Sequence, residues 1–256
     1  YIIDESGNAN DGAMIAPLYP IKSYNLGTPS LVGRENGSDQ YGITFCPKGQ
    51  DLSNPFHYEK SLVEVLPAET INLKDEYTIM FLFNKFDADN FFMQAVFDGT
   101  RYVPSGTPQN KTISRSLFRK GVTVGMDWRR VHAQGEYLDF IMPGRPTFSL
   151  NINNSDNILK DFYNRTFHVT MTRRKESVGT GLWITHDKVY INSRTVFSAS
   201  SNATIDPSTA HNTSSLFIGG NLDGYTEHTL NDRHTSPISI DQFAVFNNKC
   251  LTHDEI

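Results

Sequence analysis

The fold is decided by the stretch Ser215-Leu216-Phe217-Ile218-Gly219-Gly220 and by the run that follows it after a polar loop, Asn221–Pro237. That second run reads Ile238-Ser239-Ile240-Asp241-Gln242-Phe243-Ala244-Val245-Phe246. The first run is apolar and is broken by two glycines, and the second alternates apolar with polar or small residues, which is the pattern of a strand with one buried face. The sequence therefore predicts two β-strands joined by a long loop.

The second of these strands changes phase once. Ile238 and Ile240 occupy one set of alternate positions, and Phe243 and Val245 occupy the other. One extra residue in a strand shifts the side chains in this way, so the pattern predicts a bulge or a bend at Asp241-Gln242. Past the strand, the capping-box spacing of a threonine and a glutamate in Leu251-Thr252-His253-Asp254-Glu255-Ile256 predicts the start of a helix.

Earlier segments have the same character. Tyr77–Phe83 is apolar on both faces and is predicted to be a central strand, with Phe91–Phe97 returning beside it as a hairpin partner. Further strands are predicted at Gly121–Gly125, Glu136–Met142, Thr147–Ile152 and Thr166–Arg173. Thr100–Thr112 is rich in Pro, Gly and Ser and is predicted to be a loop long enough to carry function. Many short strands with almost no helical period predict an all-β, two-sheet antiparallel sandwich.

The C-terminal block resembles the signature of laminin-G-like, concanavalin A-like lectin and glucanase domains. The matching parts are Ile218-Gly219-Gly220, the strand Ile240–Phe246 and Leu251–Ile256. Val189–Val196 is similar to a hairpin of that family, and Asp4–Gly12 is similar to its N-terminal loop. The resemblance implies a jelly roll. Residues 1–256 are then expected to be one such domain and, since the chain begins with Tyr1, a fragment of a longer polypeptide.

Composition excludes two classes of function. The net charge is −5 without a run of basic residues, so the chain lacks the electrostatic footprint of a nucleic-acid-binding protein. No apolar stretch approaches the roughly 20 residues needed to cross a bilayer, so membrane insertion is not expected. A hydrophobic fraction of 38% with 12% aromatic residues suits a sandwich with aromatic inner faces.

The sequence does not contain the carboxylate pattern of a glycan-cleaving jelly roll. Those relatives place Glu-x-Asp-x-Glu on one strand, so that two carboxylates face the same side at roughly 5 Å. Glu136 and Asp139 are the nearest pair and are three residues apart, so they are predicted to face opposite sides of a strand. A non-catalytic protein is expected, and a glycoside hydrolase with an unrecognised carboxylate pair is the weaker alternative.

Candidate ligand-binding residues lie mainly on the loop Asn221–Pro237. Aromatic, charged and imidazole groups on one loop suit sugar recognition, because a ring stacks on a sugar face and polar groups bind its hydroxyls. The candidates on this loop are Tyr225, His228, Asp232 and Arg233. An ordinary solvated connection is the other interpretation. Trp128, beside Arg129 and Arg130, is either a stacking platform or a core residue with a satisfied indole N–H.

A structural calcium site is the candidate metal centre. The loop residues Asp4, Asn8 and Asp11 offer the hard oxygen ligands that Ca²⁺ prefers. The family resemblance adds Asp241, since many lectin-like sandwiches hold Ca²⁺ between such a loop and an acidic residue of the last strand. The same loop residues also suit side-chain capping of turns. Cys46 and Cys250 are either bridged or two free thiols.

The function implied is that of a non-catalytic glycan-binding or adhesion domain of a larger extracellular, secreted or virion-surface protein. Its partner would be a glycan or glycoprotein, bound by loops such as Asn221–Pro237 rather than by the filled inner faces of the sheets. Weak affinity for a single sugar would require multivalent display, and therefore a homo-oligomer or a larger assembly. The alternative is a purely structural module of a viral or phage fibre, decoration or assembly.

Overall fold

The computed structural model describes residues 5–15, 30–33, 41–45, 62–73, 75–85, 95–97, 102–104, 112–131, 134–154, 158–205, 214–220 and 238–256. Within these ranges the fold is all-β, as predicted from the sequence. Helix is limited there to three single 3-10 turns, Glu69–Ile71, Phe162–Asn164 and His253–Glu255. None of the helical segments in this part of the chain has the length and apolar character of a membrane span.

The first large sheet has seven antiparallel strands. Their spatial order is β1 (Gly12–Ile15), β4 (Leu62–Val65), β16 (Leu216–Ile218), β8 (Thr112–Lys120), β9 (Val124–Val131), β10 (Gly135–Ile141) and β11 (Phe148–Asn151). The prediction of a strand at Gly121–Gly125 is wrong for residues 121–123, which form a turn, while Val124 and Gly125 begin β9. Gly121 has a φ of 56° and opens the turn that joins β8 to β9, a conformation that glycine adopts without steric cost.

The second large sheet has eight antiparallel strands. Their order is β14 (Arg194–Ser200), β13 (Leu182–Ile191), β12 (Thr166–Gly179), β5 (Tyr77–Lys85), β17 (Ile238–Asn247), β3 (Tyr41–Phe45) and β2 (Ser30–Gly33), with β15 (Thr204–Ile205) also paired to β13. A separate pair consists of β6 (Ala95–Phe97) and β7 (Tyr102–Pro104). The two large sheets are not closed into a barrel, which makes the fold a sandwich.

Strand β5 is central, as its apolar character on both faces predicts. It pairs with β12 on one side and with β17 on the other, so both of its edges are occupied. The predicted hairpin between β5 and Phe91–Phe97 is therefore wrong, because β6 pairs with β7 instead. Strand β7 lies inside the segment Thr100–Thr112 that was predicted to be a loop.

Phenylalanine rings join the two sheets. Phe118 of β8 lies 5.4 Å from Phe81 of β5 and 5.5 Å from Phe243 of β17, measured between ring centroids. Phe81 and its strand neighbour Phe83 are buried, as is Val169 of β12, which confirms their predicted place in the core. Ile218 and Phe243, also predicted to be buried, are half-buried, because they border the cleft described below.

Strand β17 contains the predicted bulge. Its register against β5 shifts between Asp241 and Ala244, and Gln242 has a φ of 51°. The shift returns Phe243 and Val245 to the inner face after Asp241. The capping box is also confirmed, since the Thr252 N–H donates to a Glu255 carboxylate oxygen at 2.8 Å at the start of the last 3-10 turn.

One end of the sandwich carries the β8–β9, β10–β11 and β12–β13 turns, and we call it the turn end. Arg145 of the β10–β11 turn binds Asp187 of β13 at 2.7 Å, which places that turn beside the middle of β13, and the β12–β13 hairpin continues past it in the same direction. Strand β5 begins there, with Tyr77 opposite Arg173. At the other end of the core, the Nζ atom of Lys85 lies 4.1 Å from the centre of the Trp128 ring.

Candidate functional site

A cleft of about 940 Å³ lies between the two sheets, at the edge where β4 and β16 face β17. Its inner wall is aliphatic and aromatic. The wall is formed by Val63, Val65, Leu216, Ile218, Ile240, Phe243 and Val245, together with Ile71 of the first 3-10 turn. The sequence expectation that the inner faces leave no room for a ligand is not met along this edge.

Small residues explain why the sheets leave space here. Elsewhere in the core, rings such as Phe81 and Phe118 meet across the sheets. Along the cleft, the facing positions of β4 are Val63 and Val65, and Gly12 of β1 lies opposite Val65. Side chains of this size reach less far across the roughly 10 Å between packed sheets than aromatic rings do.

The mouth of the cleft lies at the turn end and is polar. We call this set of residues the rim: Glu5, Ser6, Asn8, Asn10, Glu69, Thr70, Asn247, Asn248 and Lys249. Most of these residues are exposed, so the cleft reaches solvent there. Carboxylate, hydroxyl and amide groups thus surround the entrance to an apolar interior.

Hydrogen bonds join the three segments of the rim. The Thr70 hydroxyl donates to Asn10 Oδ1 at 2.7 Å, which ties the 3-10 turn to the N-terminal segment. Asn247 Nδ2 donates to the Glu69 carbonyl oxygen at 2.9 Å, which ties the same turn to the end of β17. The rim is therefore held by contacts between segments that are far apart in the sequence.

One rim atom is ready to accept a hydrogen bond. Asn247 Oδ1 is buried, and no donor reaches it within the described residues. A buried acceptor without a donor is unusual in native proteins, so a ligand hydroxyl or amide would satisfy it. The charge around the cleft is negative overall, with Glu5, Glu69 and Asp241 set against Lys249, whose ammonium group is 3.1 Å from Glu255.

The predicted sugar-binding residues Tyr225, His228, Asp232 and Arg233 lie outside the described residues. The strands that flank their loop are described, and both line the cleft. Strand β16 ends at Ile218 and β17 begins at Ile238, which lies opposite Lys85 at the end of the sandwich away from the rim. The loop Asn221–Pro237 is therefore attached at the other end of the same two strands.

Trp128 is a core residue, so its interpretation as a stacking platform is wrong, but its indole N–H, predicted to be satisfied, has no hydrogen-bond partner among the described residues. Its side chain is 4% exposed and belongs to the main hydrophobic cluster. One face of the ring meets the ammonium group of Lys85 at 4.1 Å. Strand β9 alternates, so Trp128 points into the core while its neighbours Asp127 and Arg129 point outward, where Arg129 binds Asp139.

The predicted calcium ligands are only partly brought together. Asn8 and Asp241 line the same cleft. Asp11 is an exposed residue of the loop that contains Asn8, and Asp4 lies outside the described residues. In the described ranges, no three His, Cys, Asp or Glu side chains form a group suited to a metal ion. Asn8 instead donates its side-chain amide to Ser6 Oγ at 2.9 Å, as in a local capping turn. These described residues do not make up a calcium site on their own, and calcium binding stays a prediction.

Cys250 is a free, half-buried thiol, while Cys46 lies outside the described residues. Its Sγ atom lies 3.7 Å from the carbonyl oxygen of Leu251, and burial raises the pKa of the thiol. A protonated thiol is a poor nucleophile, so this side chain behaves as a small core residue.

Glu136 and Asp139 face opposite sides of β10, as their spacing predicts. Glu136 accepts a hydrogen bond from the Tyr163 hydroxyl on the core side of the strand. Asp139 binds the Arg129 guanidinium at 2.5 Å on the outer side. The two carboxylates therefore do not form a pair around a common substrate.

Sequence reasoning missed most of the rim. It singled out the loop Asp4–Gly12, but it did not connect that loop with Glu69, Thr70 or Asn247. The available signal was weak, a polar Asn-Asn-Lys sequence directly after an apolar strand and a Glu-Thr pair after Pro67. Such polar residues next to strand ends are common in ordinary turns.

The fold and the cleft together define an all-β sandwich with a jelly-roll-like arrangement of two antiparallel sheets. Its structure is similar to that of botulinum neurotoxin type C, with a TM-score of 0.50 and 13% sequence identity over 98% of this chain and 46% of that one. The binding domain of serotype C1 matches with a TM-score of 0.49, 16% identity and 98% and 47% coverage. That of serotype D gives 0.47, 12% identity and 99% and 46% coverage.

These similarities extend to the fold alone, because the sequence identities are low. The chain spans about half the length of the solved structures that it matches. Cell entry of the type C neurotoxin depends on interaction with two ganglioside molecules, which is a property of that whole protein. Comparison of the sequence with protein-family models and with curated proteins gives no match.

Proposed function

We propose that this chain is a non-catalytic glycan-binding domain of a larger extracellular or virion-surface protein. The observation that carries the proposal is the rim, where amide and hydroxyl groups from three segments surround a cleft and no donor from the described residues reaches Asn247 Oδ1. Sugar hydroxyls both donate and accept hydrogen bonds, so groups of this kind match them. The partner would be a glycan or a glycoprotein.

The carboxylates that the sequence brings closest to a hydrolase pattern, Glu136 and Asp139, support binding rather than catalysis. Glycoside hydrolysis needs two carboxylates on either side of one bond, with separations of about 5–10 Å set by the mechanism. Glu136 and Asp139 are on opposite faces of their strand and bind other side chains. The amides of Asn8, Asn10 and Asn247, by contrast, are groups that bind and orient a polar ligand without reacting with it.

Similarity of fold to a solved structure also supports glycan binding. The botulinum neurotoxin structure with the same sandwich belongs to a protein whose cell entry depends on gangliosides, and gangliosides carry glycans. The matched part is less than half of that solved chain, so the likeness does not locate the ganglioside contacts. It makes recognition of a cell-surface glycan a reasonable role for this chain as well.

The loop Asn221–Pro237 is the second contact surface that we propose. Tyr225 supplies a ring for stacking, and His228, Asp232 and Arg233 supply polar groups for hydroxyls. A few hydrogen bonds with one stacked ring give roughly micromolar to millimolar affinity. Useful adhesion would then require several copies of the domain on one particle or surface.

The test is a glycan array followed by titration of the best ligand, with variants of each surface. Asn8→Ala combined with Asn247→Ala removes two rim amides and is expected to weaken binding about tenfold, which corresponds to about 1.4 kcal/mol. Tyr225→Ala combined with Asp232→Ala tests the loop. Asn202→Ala, an exposed asparagine beyond β14, is the matched control and should bind normally.

The outcomes separate the two surfaces and the two functional classes. If both double variants fold and bind like the unchanged chain, neither surface is the site. If no glycan binds the unchanged chain when it is displayed in multiple copies, the proposed function is wrong. Release of sugar that is abolished by a single Glu→Gln substitution would show instead that the chain is a glycoside hydrolase.

A further inference from the structure

We propose that the cleft takes the alkyl chain of a lipid with an uncharged or zwitterionic head, presented to it by a bilayer on which the turn end of the sandwich docks. This proposal does not depend on glycan binding, and because a lipid head group would occupy the rim proposed above for a glycan, the two ligands would compete there. It rests on the apolar interior of the cleft, on the position of the exposed aliphatic side chains and on the pairing of charges at the same end.

The interior of the cleft suits an apolar group better than a sugar. Apart from Asp241 and Gln242 at the bulge of β17, its inner wall is made of Val63, Val65, Leu216, Ile218 and Val245, which offer neither donor nor acceptor side-chain groups. A sugar pushed between these side chains would lose hydrogen bonds to water and regain none. An alkyl chain has no hydrogen bonds to water to lose, and its binding would remove the apolar side chains of the wall from water.

The polar rim completes an amphipathic site. Its amide and hydroxyl groups lie at the mouth, where the head group of a lipid would remain when the chain lies between the sheets. Asn247 Oδ1, buried and without a donor in the described structure, would accept a hydrogen bond from such a head group. A volume of about 940 Å³ is at the upper end of the roughly 300–1,000 Å³ typical of ligand sites.

Exposed aliphatic side chains gather at the end where the cleft opens. Among the described residues, the large hydrophobic side chains that are exposed are Leu66 (67%), Val122 (79%), Val178 (45%) and Leu182 (40%). Val178 and Leu182 flank the β12–β13 turn. Leu66 follows β4 and Val122 lies in the β8–β9 turn.

The strand registers place Leu66 and Val122 at the same end as that turn. Val65 and Lys120, the last residues of β4 and β8, lie on either side of Leu216 in the sheet. All four aliphatic side chains therefore belong to the turn end, although they come from three separate parts of the chain. Separate exposed aliphatic side chains at the end where an amphipathic cleft opens fit a bilayer surface, which accepts each of them independently.

Charges at the turn end favour a lipid without net charge. Arg174 binds Glu176 at 2.6 Å, and Lys175 binds Asp75 at 3.1 Å, so these cations are neutralised within the protein. At the rim, the carboxylates of Glu5 and Glu69 stand beside Lys249, which binds Glu255 at 3.1 Å. Among the described residues the rim therefore offers no surplus of cations to hold an anionic head group, whereas a zwitterionic or uncharged one does not need them.

The docking step is tested by co-sedimentation with vesicles of phosphatidylcholine. The unchanged chain is expected to sediment with them, and replacement of a third of the lipid by phosphatidylglycerol should not increase the bound fraction. Leu66→Asp combined with Val122→Asp changes exposed residues and should lower the bound fraction at least tenfold. Ser193→Asp, in the exposed β13–β14 turn at the opposite end, is the control and should bind normally.

Binding of a lipid's alkyl chain in the cleft is tested by calorimetric titration with monoacyl phosphatidylcholine below its micellar concentration. Ile218→Trp adds volume to the cleft wall and should abolish binding, whereas Val196→Trp, a half-buried position on the far edge strand β14, should leave it intact. Thermal unfolding of both variants shows whether they are folded. If the tryptophan variant misfolds, Ile218→Asn, which places an amide in the wall, is the replacement and should weaken binding at least tenfold.

Three results would overturn the proposal. The first is absence of binding to both probes. The second is binding that requires phosphatidylglycerol. The third is a Leu66→Asp and Val122→Asp double variant that loses self-association but still binds vesicles. That result would show that this end contacts another protein copy. Neither probe carries a glycan, so these results are independent of the glycan array, which tests the proposed function by itself.

Discussion

Asp187 lies between two arginine side chains in a position with no exposed surface. Its carboxylate accepts hydrogen bonds from Arg173 at 2.7 and 3.0 Å and from Arg145 at 2.7 Å. Arg173 belongs to the neighbouring strand β12, whereas Arg145 reaches Asp187 from a turn of the other sheet. One carboxylate thus binds two cations, offsets one of their two positive charges and joins the two sheets at the turn end.

Asp187→Asn should therefore be strongly destabilising. Removal of one partner of a buried ion pair leaves uncompensated charge, and such changes typically cost about 3–5 kcal/mol in the free energy of unfolding. Urea denaturation measures the effect. Glu176→Gln is the control, because the exposed pair of Glu176 with Arg174 contributes at most about 1 kcal/mol. A difference of less than 1 kcal/mol between the two variants would contradict the structural role assigned to Asp187.

Lys120 makes stability depend on pH in the alkaline range. Its side chain is 1% exposed and donates to the Ser214 carbonyl oxygen at 2.5 Å, and burial lowers the pKa of the ammonium group to about 8. The unfolded chain keeps a pKa of about 10.4. Between these two values the unfolded state binds more protons than the folded state, so the free energy of unfolding rises from pH 8 to pH 10.

The test compares the unchanged chain with Lys120→Met at several pH values in that window. The difference in unfolding free energy between the two proteins should change steadily from pH 8 to pH 10, because the unchanged chain becomes more stable relative to the variant as pH rises. Other groups titrate in both proteins and cancel in the difference. A constant difference across the window would show that the folded-state pKa of Lys120 is not lowered.

At the scale of elements, the pairing of β8 with β9 depends on a glycine. Gly125 lies opposite Arg119, whose guanidinium binds both carboxylate oxygens of Asp127, one of them at 3.0 Å. Burial raises the pKa of Asp127, and the Arg119 charge opposes that rise. A Cβ atom added at Gly125 would lie 2.8 Å from the Phe118 carbonyl oxygen and would also meet the Arg119 side chain.

Gly125→Ala should lower the free energy of unfolding by about 1–3 kcal/mol, the usual cost of overpacking. The added methyl group has backbone on one side and Arg119 on the other, so the strands or the ion pair must shift. Gly179→Ala is the matched control, since its nearest contact would be an ordinary 3.9 Å from Leu182 Cδ1. Equal stability of the two variants in thermal unfolding would contradict the close approach at Gly125.

Local patterns predicted the elements better than their partners. The phase change in β17 identified the bulge at Asp241-Gln242, because a bulge alters the alternation of the strand that contains it. The pairing of β6 with β7 was missed, since adjacency in sequence favoured β5, whose two edges are occupied by β12 and β17. Alternation specifies which face of a strand is buried, but it does not specify which strand lies beside it.

At the scale of the whole molecule, the sandwich could be predicted and the cleft could not. The rim depends on hydrogen bonds across 60 and 178 residues of sequence, Thr70 to Asn10 and Asn247 to Glu69. Its interior depends on how far two sheets are filled at one edge, which follows from the sizes of side chains on four strands. Local sequence patterns do not determine either property. From the sequence, the polar residues beside the strand ends are therefore indistinguishable from those of ordinary turns.

The whole chain is expected to unfold as one cooperative unit, because contacts between its sheets are spread along the sandwich. Phe118 joins them in the middle, Lys85 and Trp128 at one end, and Arg145 and Asp187 at the turn end. Neither sheet could lose its structure without exposing the inner face of the other. Differential scanning calorimetry should therefore give one transition whose van't Hoff and calorimetric enthalpies agree.

Phe118→Ala tests this coupling directly. Removal of a buried phenylalanine side chain costs about 3–5 kcal/mol, and here it should lower the temperature of the single transition rather than split it. Phe197→Ala, a half-buried ring on the edge strand β14, should lower it less. Two resolved transitions, in the unchanged chain or in the Phe118 variant, would show that the sheets unfold separately and that the chain is more than one domain.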